Sequence, residues 1–334
     1  MKTSGSHIKS IDAMRVISIL AVVLIHTTTR TLETVHYNLT SYPWTLLLNQ
    51  MSRFAVPLFF LISGFVLELS SDRETDYLTF LKKRFTKIFI PYVFWSLLYY
   101  YFVYNQNRDN LIHVILTGNA SYQLYFIPTL CIFYMIFPLL HKIYRFIAHP
   151  LSLVLLGALQ FWFLYRDYFI KHGGSDFPTR IASLSFFVFL IGMVAARNKD
   201  KLLEFAKKRK CFLAVASTLA GFYVFTEGDI FYHKIYNIGA IYSQYRPSIL
   251  IYTILIALVF YNIFEKIDLK KLSELSYFVF FIHVIILELS WKLFSGFVTP
   301  NPLFDISFFL TVSGISFLIA YLIHRIPLLS KITG

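Results

Sequence analysis

The chain has 334 residues, 57% of them hydrophobic, 19% aromatic and only 15% charged, a balance that excludes a soluble domain and fits a polytopic membrane protein. Its net charge of +13 is what basic inner loops facing anionic lipid would give, and nucleic acid is not an expected partner. Cys131 and Cys211 lie in or beside apolar stretches without metal-ligand spacing, so they read as core thiols, and neither a disulfide framework nor a metal site is expected.

The first ten residues are short and mildly basic, and the apolar stretch after them is long and lacks a small-residue cleavage site, so it reads as a first span. That stretch, Ile11 to Arg30, carries Asp12 and Arg15 at one end and His26 most of the way through. On a helix Arg15 and His26 fall within about 20° of one face and roughly 16 Å apart. Asp12, one turn before Arg15, is placed to orient the guanidinium and offset its charge. Ionisable groups inside a bilayer are costly and by default face a protein-lined or watery cavity. A histidine serving only as interhelical glue is the plainer alternative, and the stripe shared with an arginine argues against it.

In the outer loop that follows, Glu33 and His36 either overhang a cavity holding His26 or are ordinary loop polarity. The second span opens at Arg53 and continues AVPLFFLISGFVLEL, where Pro57 predicts a kink and Ser63-Gly64 a thin face open to another helix. In FLKKRFTKIFIPY, Phe80 to Tyr92, the residues Lys83, Arg84 and Lys87 recur at helical spacing, a face suited to phosphates or to lipid headgroups. Pro91 predicts the bend by which this surface helix enters the membrane. The outer loop from Glu227 to Arg246 holds Phe231, Tyr232, His233, Tyr236, Tyr242 and Tyr245, aromatics that suit sugar stacking and, more simply, the interfacial belt.

The ninth span has His283 near the midplane and the pair Glu288 and Lys292, which at i,i+4 are expected to neutralise each other. Counting from the inner surface puts His283 about 13 Å deep and His26 about 21 Å along its helix, so the two histidines are expected at different levels.

Apolar stretches near 10–29, 45–69, 86–104, 122–141, 150–169, 181–196, 211–226, 247–264, 274–294 and 304–324 predict an all-α bundle of about ten transmembrane helices. A cytoplasmic N-terminus puts about 21 Lys and Arg on the inner side and about 6 on the outer, so both termini are expected in the cytoplasm. With no internal repeat, low-complexity segment or long linker, residues 1–334 read as one integral membrane domain.

Asp12-x-x-Arg15 with ten residues before His26, then PLFFLISGF from Pro57 to Phe65, RFTKIFIPY from Arg84 to Tyr92, and LSELSYFVFFIH ending at His283 together resemble the acyltransferase 3 family of integral membrane acyltransferases. The resemblance covers nearly the whole chain, and the wording IHTTT and VPLFF is most similar to bacterial O-acetyltransferases of the enterobacterial common antigen type. The chain departs from the common pattern in carrying Tyr125-Phe126 where Trp-Phe is frequent, and Lys87 where a second arginine often stands. A lysine binds phosphate as a point charge, without the bidentate fork.

The resemblance implies acyl transfer, with acetyl the expected group, from cytoplasmic acyl-CoA to a hydroxyl of a cell-surface or lipid-linked carbohydrate, at a bacterial inner membrane. The residues fit that chemistry in their own right, because an alcohol attacking a thioester needs a base and neutral histidine is suited to that task. Hence His26 is expected as general base, with Asp12 orienting Arg15. Arg15, Arg84, Lys87 and Lys83 are expected to hold the donor's phosphates. His283 is expected either to position the donor or to be a buried structural histidine. Pro57, Ser63, Gly64 and Pro91 are structural. Acyl-CoA enters as a substrate, and no permanently bound cofactor is expected. A flippase for a lipid-linked sugar would use the same charged stripe, but paired broken helices and inverted repeats are not detected. A scaffold protein leaves the intramembrane charges unexplained.

Overall fold

Apolar runs that must leave no backbone polar group unpaired in lipid have the helix as their local solution, and every regular element among the described residues is helical. The computed structural model describes residues 8–34, 42–71, 76–104, 110–170, 178–231, 241–298 and 301–326. In chain order the helices are α1 (Lys9–Thr34), α2 (Tyr42–Met51), α3 (Ala55–Ser70), α4 (Tyr77–Leu98), α5 (Leu111–Thr117), α6 (Phe126–Lys142) and α7 (Tyr144–Ile147). They continue with α8 (Pro150–Tyr165), α9 (Pro178–Arg197), α10 (Lys199–Lys208), α11 (Lys210–Ile230), α12 (Pro247–Ile263), α13 (Lys270–Phe294) and α14 (Pro302–His324). Five-residue π turns, Tyr99–Val103 and Arg166–Ile170, extend α4 and α8.

Seven stretches are long and apolar enough to cross a membrane, by length and composition: Lys9–Thr34, Pro43–Ser70, Pro150–Ile170, Pro178–Arg197, Lys210–Ile230, Lys270–Phe297 and Pro302–His324. The chain is an all-α, multi-pass membrane protein. The remaining three expected stretches fall on the shorter apolar helices α6 and α12 and on α4 with its π turn.

The second expected span, Pro43–Ser70, is interrupted in the turn before Pro57. α2 and α3 are separate, joined by turns at 52–54, and Pro57 is the third residue of α3, where the missing N–H has no intrahelical partner to lose. The break therefore precedes the proline and leaves Arg53 inside it. Beyond the break, Gly64 does admit another helix. A Cβ there would lie 2.1 Å from the Phe189 carbonyl oxygen, and one on Gly192 would lie 2.0 Å from that of Leu61. α3 and α9 thus touch backbone to backbone through two reciprocal glycines. Ser63 returns its hydroxyl to the Phe59 carbonyl at 2.8 Å.

α4 runs through Pro91 as one helix from Tyr77 to Leu98, so the expected surface helix and span are continuous. Beside the proline, Tyr277 of α13 donates to the Ile88 carbonyl at 2.9 Å. Farther along, Trp95 of α4 stacks on Phe281 of α13 with centroids 5.8 Å apart, and Tyr99 donates to the Phe281 carbonyl at 2.7 Å. These contacts fix α4 against α13. Of the two cysteines only Cys131 is buried; Cys211 is exposed at the start of α11 and is not a core thiol.

Polar contacts at helix ends set the relative directions. Glu68, at the end of α3, accepts from His141 of α6 at 2.9 Å and from Arg197 of α9 at 2.5 Å, so three C-terminal ends meet. Arg197 also lies 3.7 Å above the Tyr144 ring. The starts of α1 and α13 meet where Ser273 donates to Asp12 at 2.8 Å.

Candidate functional site

α1 carries both expected charges of the site on one stripe, and that stripe faces α6 and the segment before it. Arg15 contacts Asp12 at 3.3 Å, with Tyr134 of α6 and Arg84 of α4 in its neighbourhood. Just over three turns later the His26 ring lies 4.7 Å from that of Tyr122. An ascending α1 against a descending α6 accounts for both pairs, since eleven residues forward on one strand of the contact match twelve backward on the other.

His26 opens on a cavity of about 900 Å³. Its walls include Arg30 and Glu33 of α1, Arg53 of the α2–α3 break, Tyr104, Ser121, Tyr122 and Gln123, then Tyr242 and Gln244, and Glu288 of α13. Hydroxyls, amides and aromatic faces converging on one imidazole can hold a hydroxylated ligand and take a proton from it. Tyr122 keeps 46% of its surface accessible although it lies inside this hollow. Gly118 makes the turn that presents the Ser121 to Tyr125 segment, with φ of 81°, and a Cβ there would sit 2.4 Å from the Tyr125 Cα.

His283 is fully buried. Its ring stacks on that of His26 with centroids 5.3 Å apart, so the expected difference in level is corrected. The Asp12–Ser273 bond shows why: it makes the two helices level at those residues. From there His26 lies fourteen residues on and His283 ten, an offset of about 6 Å that two imidazole side chains can bridge. His283 shares its Nδ1 with the Val279 carbonyl at 3.0 Å, while its Nε2 is buried without a hydrogen-bond partner among the described residues.

Glu288 is corrected too. It pairs with Arg30 of α1 at 3.3 Å, and Lys292 is exposed. An i,i+4 partner on a helix that borders a cavity loses to a guanidinium reaching in from the neighbouring helix. Arg84 donates to Ser70 at 3.0 Å, while Lys83 and Lys87 are exposed on the same helix. Of the loop residues singled out from the sequence, Glu33, Tyr242 and Tyr245 line the cavity. His36, Tyr232, His233 and Tyr236 lie outside the described residues.

Sequence reasoning missed most of the cavity wall. Gln123 precedes α6, Arg180 opens α9 and Gln244 precedes α12, and only the fold brings them to the cavity of His26. Arg53 carried the same signal as His26, an ionisable side chain at membrane depth.

An intramembrane histidine that opens on a polar, aromatic hollow in a multi-pass helical protein is the arrangement of an integral membrane enzyme. The family model described as an acyltransferase domain, acyltransferase 3, matches residues 8–325, so the chain belongs to that family and is a membrane acyltransferase. No curated protein and no solved structure matches it.

Proposed function

We propose that the protein is an O-acyltransferase of a bacterial inner membrane, moving an acetyl group from cytoplasmic acetyl-CoA to a hydroxyl of a cell-surface or lipid-linked carbohydrate. The single observation that carries this reading is His26 on the wall of the cavity, one stripe along α1 from Arg15 and Asp12. The acceptor occupies the cavity. The donor enters from the opposite, cytoplasmic end, where Arg15, held by Asp12, works with Arg84, Lys83 and Lys87 on the phosphates. An extended pantetheine arm covers the roughly 16 Å from Arg15 to His26. His283, against the face of His26, positions the thioester end of the donor.

In the transfer itself His26 takes the proton of the acceptor hydroxyl as the oxygen attacks the thioester carbonyl. The tetrahedral intermediate collapses, the C–S bond breaks, and the departing CoA thiolate recovers the proton from the imidazolium. No covalent enzyme intermediate is needed, because a thioester is already activated. Ten spans with both termini in the cytoplasm complete the reading, supported by the excess of basic residues in the inner loops and by the meeting of the C-terminal ends of α3, α6 and α9. An acceptor of the enterobacterial common antigen type is the most specific version.

Incubating the purified protein with labelled acetyl-CoA and surface glycans tests the reading. Label is expected to move from CoA to glycan; a protein that only transports sugar leaves the label on CoA and overturns it.

A further inference from the structure

We propose that Arg53 is a binding site for an anionic group, a carboxylate or a phosphate, on the acceptor, so that the natural acceptor is an acidic or phosphorylated sugar. The proposal rests on reading the cavity as the acceptor site.

The other cations in and behind the cavity wall are already neutralised. Arg30 pairs with Glu288 at 3.3 Å and with Glu33 at 4.0 Å. Arg180 grips Asp167 through Nε at 2.7 Å and Nη2 at 2.5 Å. Behind the wall, the fully buried Arg246 lies 3.3 Å from Glu227. Arg53 is different. It is 3% exposed, yet its partners are neutral: Asn49 Oδ1 accepts from Nε at 3.1 Å and from Nη2, and the Tyr242 carbonyl accepts from Nη1. Arg246, another cation, is close enough to act on it. Among the described residues no carboxylate forms an ion pair with it.

A guanidinium withdrawn from water without a counter-charge is costly, and Arg53 is among the residues that line the cavity. Its three protein bonds leave N–H groups of the planar fork to spare, in the arrangement that receives carboxylate or phosphate oxygens. The fork is also fixed in advance. Asn49, which holds it, donates to the Ile25 carbonyl at 3.2 Å and to Thr28 and Thr29 at 3.0 Å each. Those residues flank His26 on α1, so one asparagine ties the cation to the helix turn that carries the base. An anion on Arg53 would thereby set which hydroxyl of the sugar reaches His26. The donor's own phosphates belong to the other end, with Arg15 and Arg84, and do not supply this anion.

The test is equilibrium binding of D-glucuronate, D-glucose 6-phosphate and D-glucose to the purified protein, with CoA saturating so that the donor's phosphate site is filled. One or both anionic sugars should bind the wild type at least about tenfold tighter than glucose, and which does so tells carboxylate from phosphate. Arg53→Gln should lower their affinity to that of glucose with CoA affinity unchanged, and Arg53→Lys should keep part of the preference. Equal binding of all three sugars, binding of none, or a preference that survives Arg53→Gln overturns the proposal. Should Arg53→Gln not fold, the wild-type comparison and Arg53→Lys decide. Failure of the underlying reading has a separate signature, in that no label leaves acetyl-CoA for any glycan whatever its charge.

Discussion

His26 has a tyrosine ring on one side and a second imidazole on the other, and the two histidines are not equivalent. His283 shares one nitrogen with its own helix and has no surface open to solvent. Gln keeps hydrogen bonding but cannot take up a proton at neutral pH. His283→Gln is therefore expected to keep at least about a tenth of the wild-type rate and mainly to raise the donor KM. A variant that binds CoA normally but is as inactive as His26→Ala would put His283 in the proton transfer. Arg15→Ala and Arg84→Ala should raise the apparent KM for acyl-CoA, and Arg15→Lys should recover only part of it, since the planar fork is lost. Ordinary donor affinity in both alanine variants would leave Arg15 as a pin for α1 through Asp12. The stripe of Asp12, Arg15 and His26 was legible because helical spacing places residues on a face without knowledge of neighbours. The meeting of His26 with His283, and of Arg30 with Glu288, was not, because depth counted along each helix lacks the common origin that Ser273 and Asp12 supply.

Among the elements, α3 and α9 meet backbone to backbone at Gly64 and Gly192. Gly64→Ala would drive a methyl into the Phe189 carbonyl, and Gly192→Ala one into that of Leu61. Neither backbone can yield without separating the helices, and overpacking of this kind typically costs about 1–3 kcal/mol or more. Thermal unfolding in detergent should show both variants clearly destabilised. Gly314→Ala is the control: nothing lies within 4 Å of a Cβ there, and replacing a helical glycine by alanine gains about 1 kcal/mol in an open position. A wild-type melting point in Gly64→Ala would mean that the contact is looser than described. Sequence foresaw the thin face of α3 from Ser63-Gly64, and it also placed a proline effect at Pro57. It could not see where Arg53, in the turns at 52–54, finds its partners, since the Tyr242 carbonyl is far away in the chain.

On the scale of the whole molecule, apolar length and charge asymmetry were enough to foresee a multi-pass helical protein, while the cavity depended on loops whose polarity looked ordinary in isolation. The ten-span reading puts exposed Lys201 of α10 inside and exposed Arg166, at the far end of α8, outside. A membrane-impermeant maleimide should label Arg166→Cys in intact cells and Lys201→Cys only after the membrane is opened; the reverse pattern would invert the topology. The proposed transfer depends most directly on His26 as the base that serves a cavity at one end and a CoA site at the other. The deciding measurement is the rate at which purified His26→Ala transfers labelled acetyl from acetyl-CoA to the acceptor glycan, read beside its affinity for acetyl-CoA. Removal of a general base is expected to lower that rate by about 10²–10⁴, with the protein folded and donor affinity kept. Near wild-type transfer at ordinary donor affinity would contradict the account and return His26 to a role in helix packing.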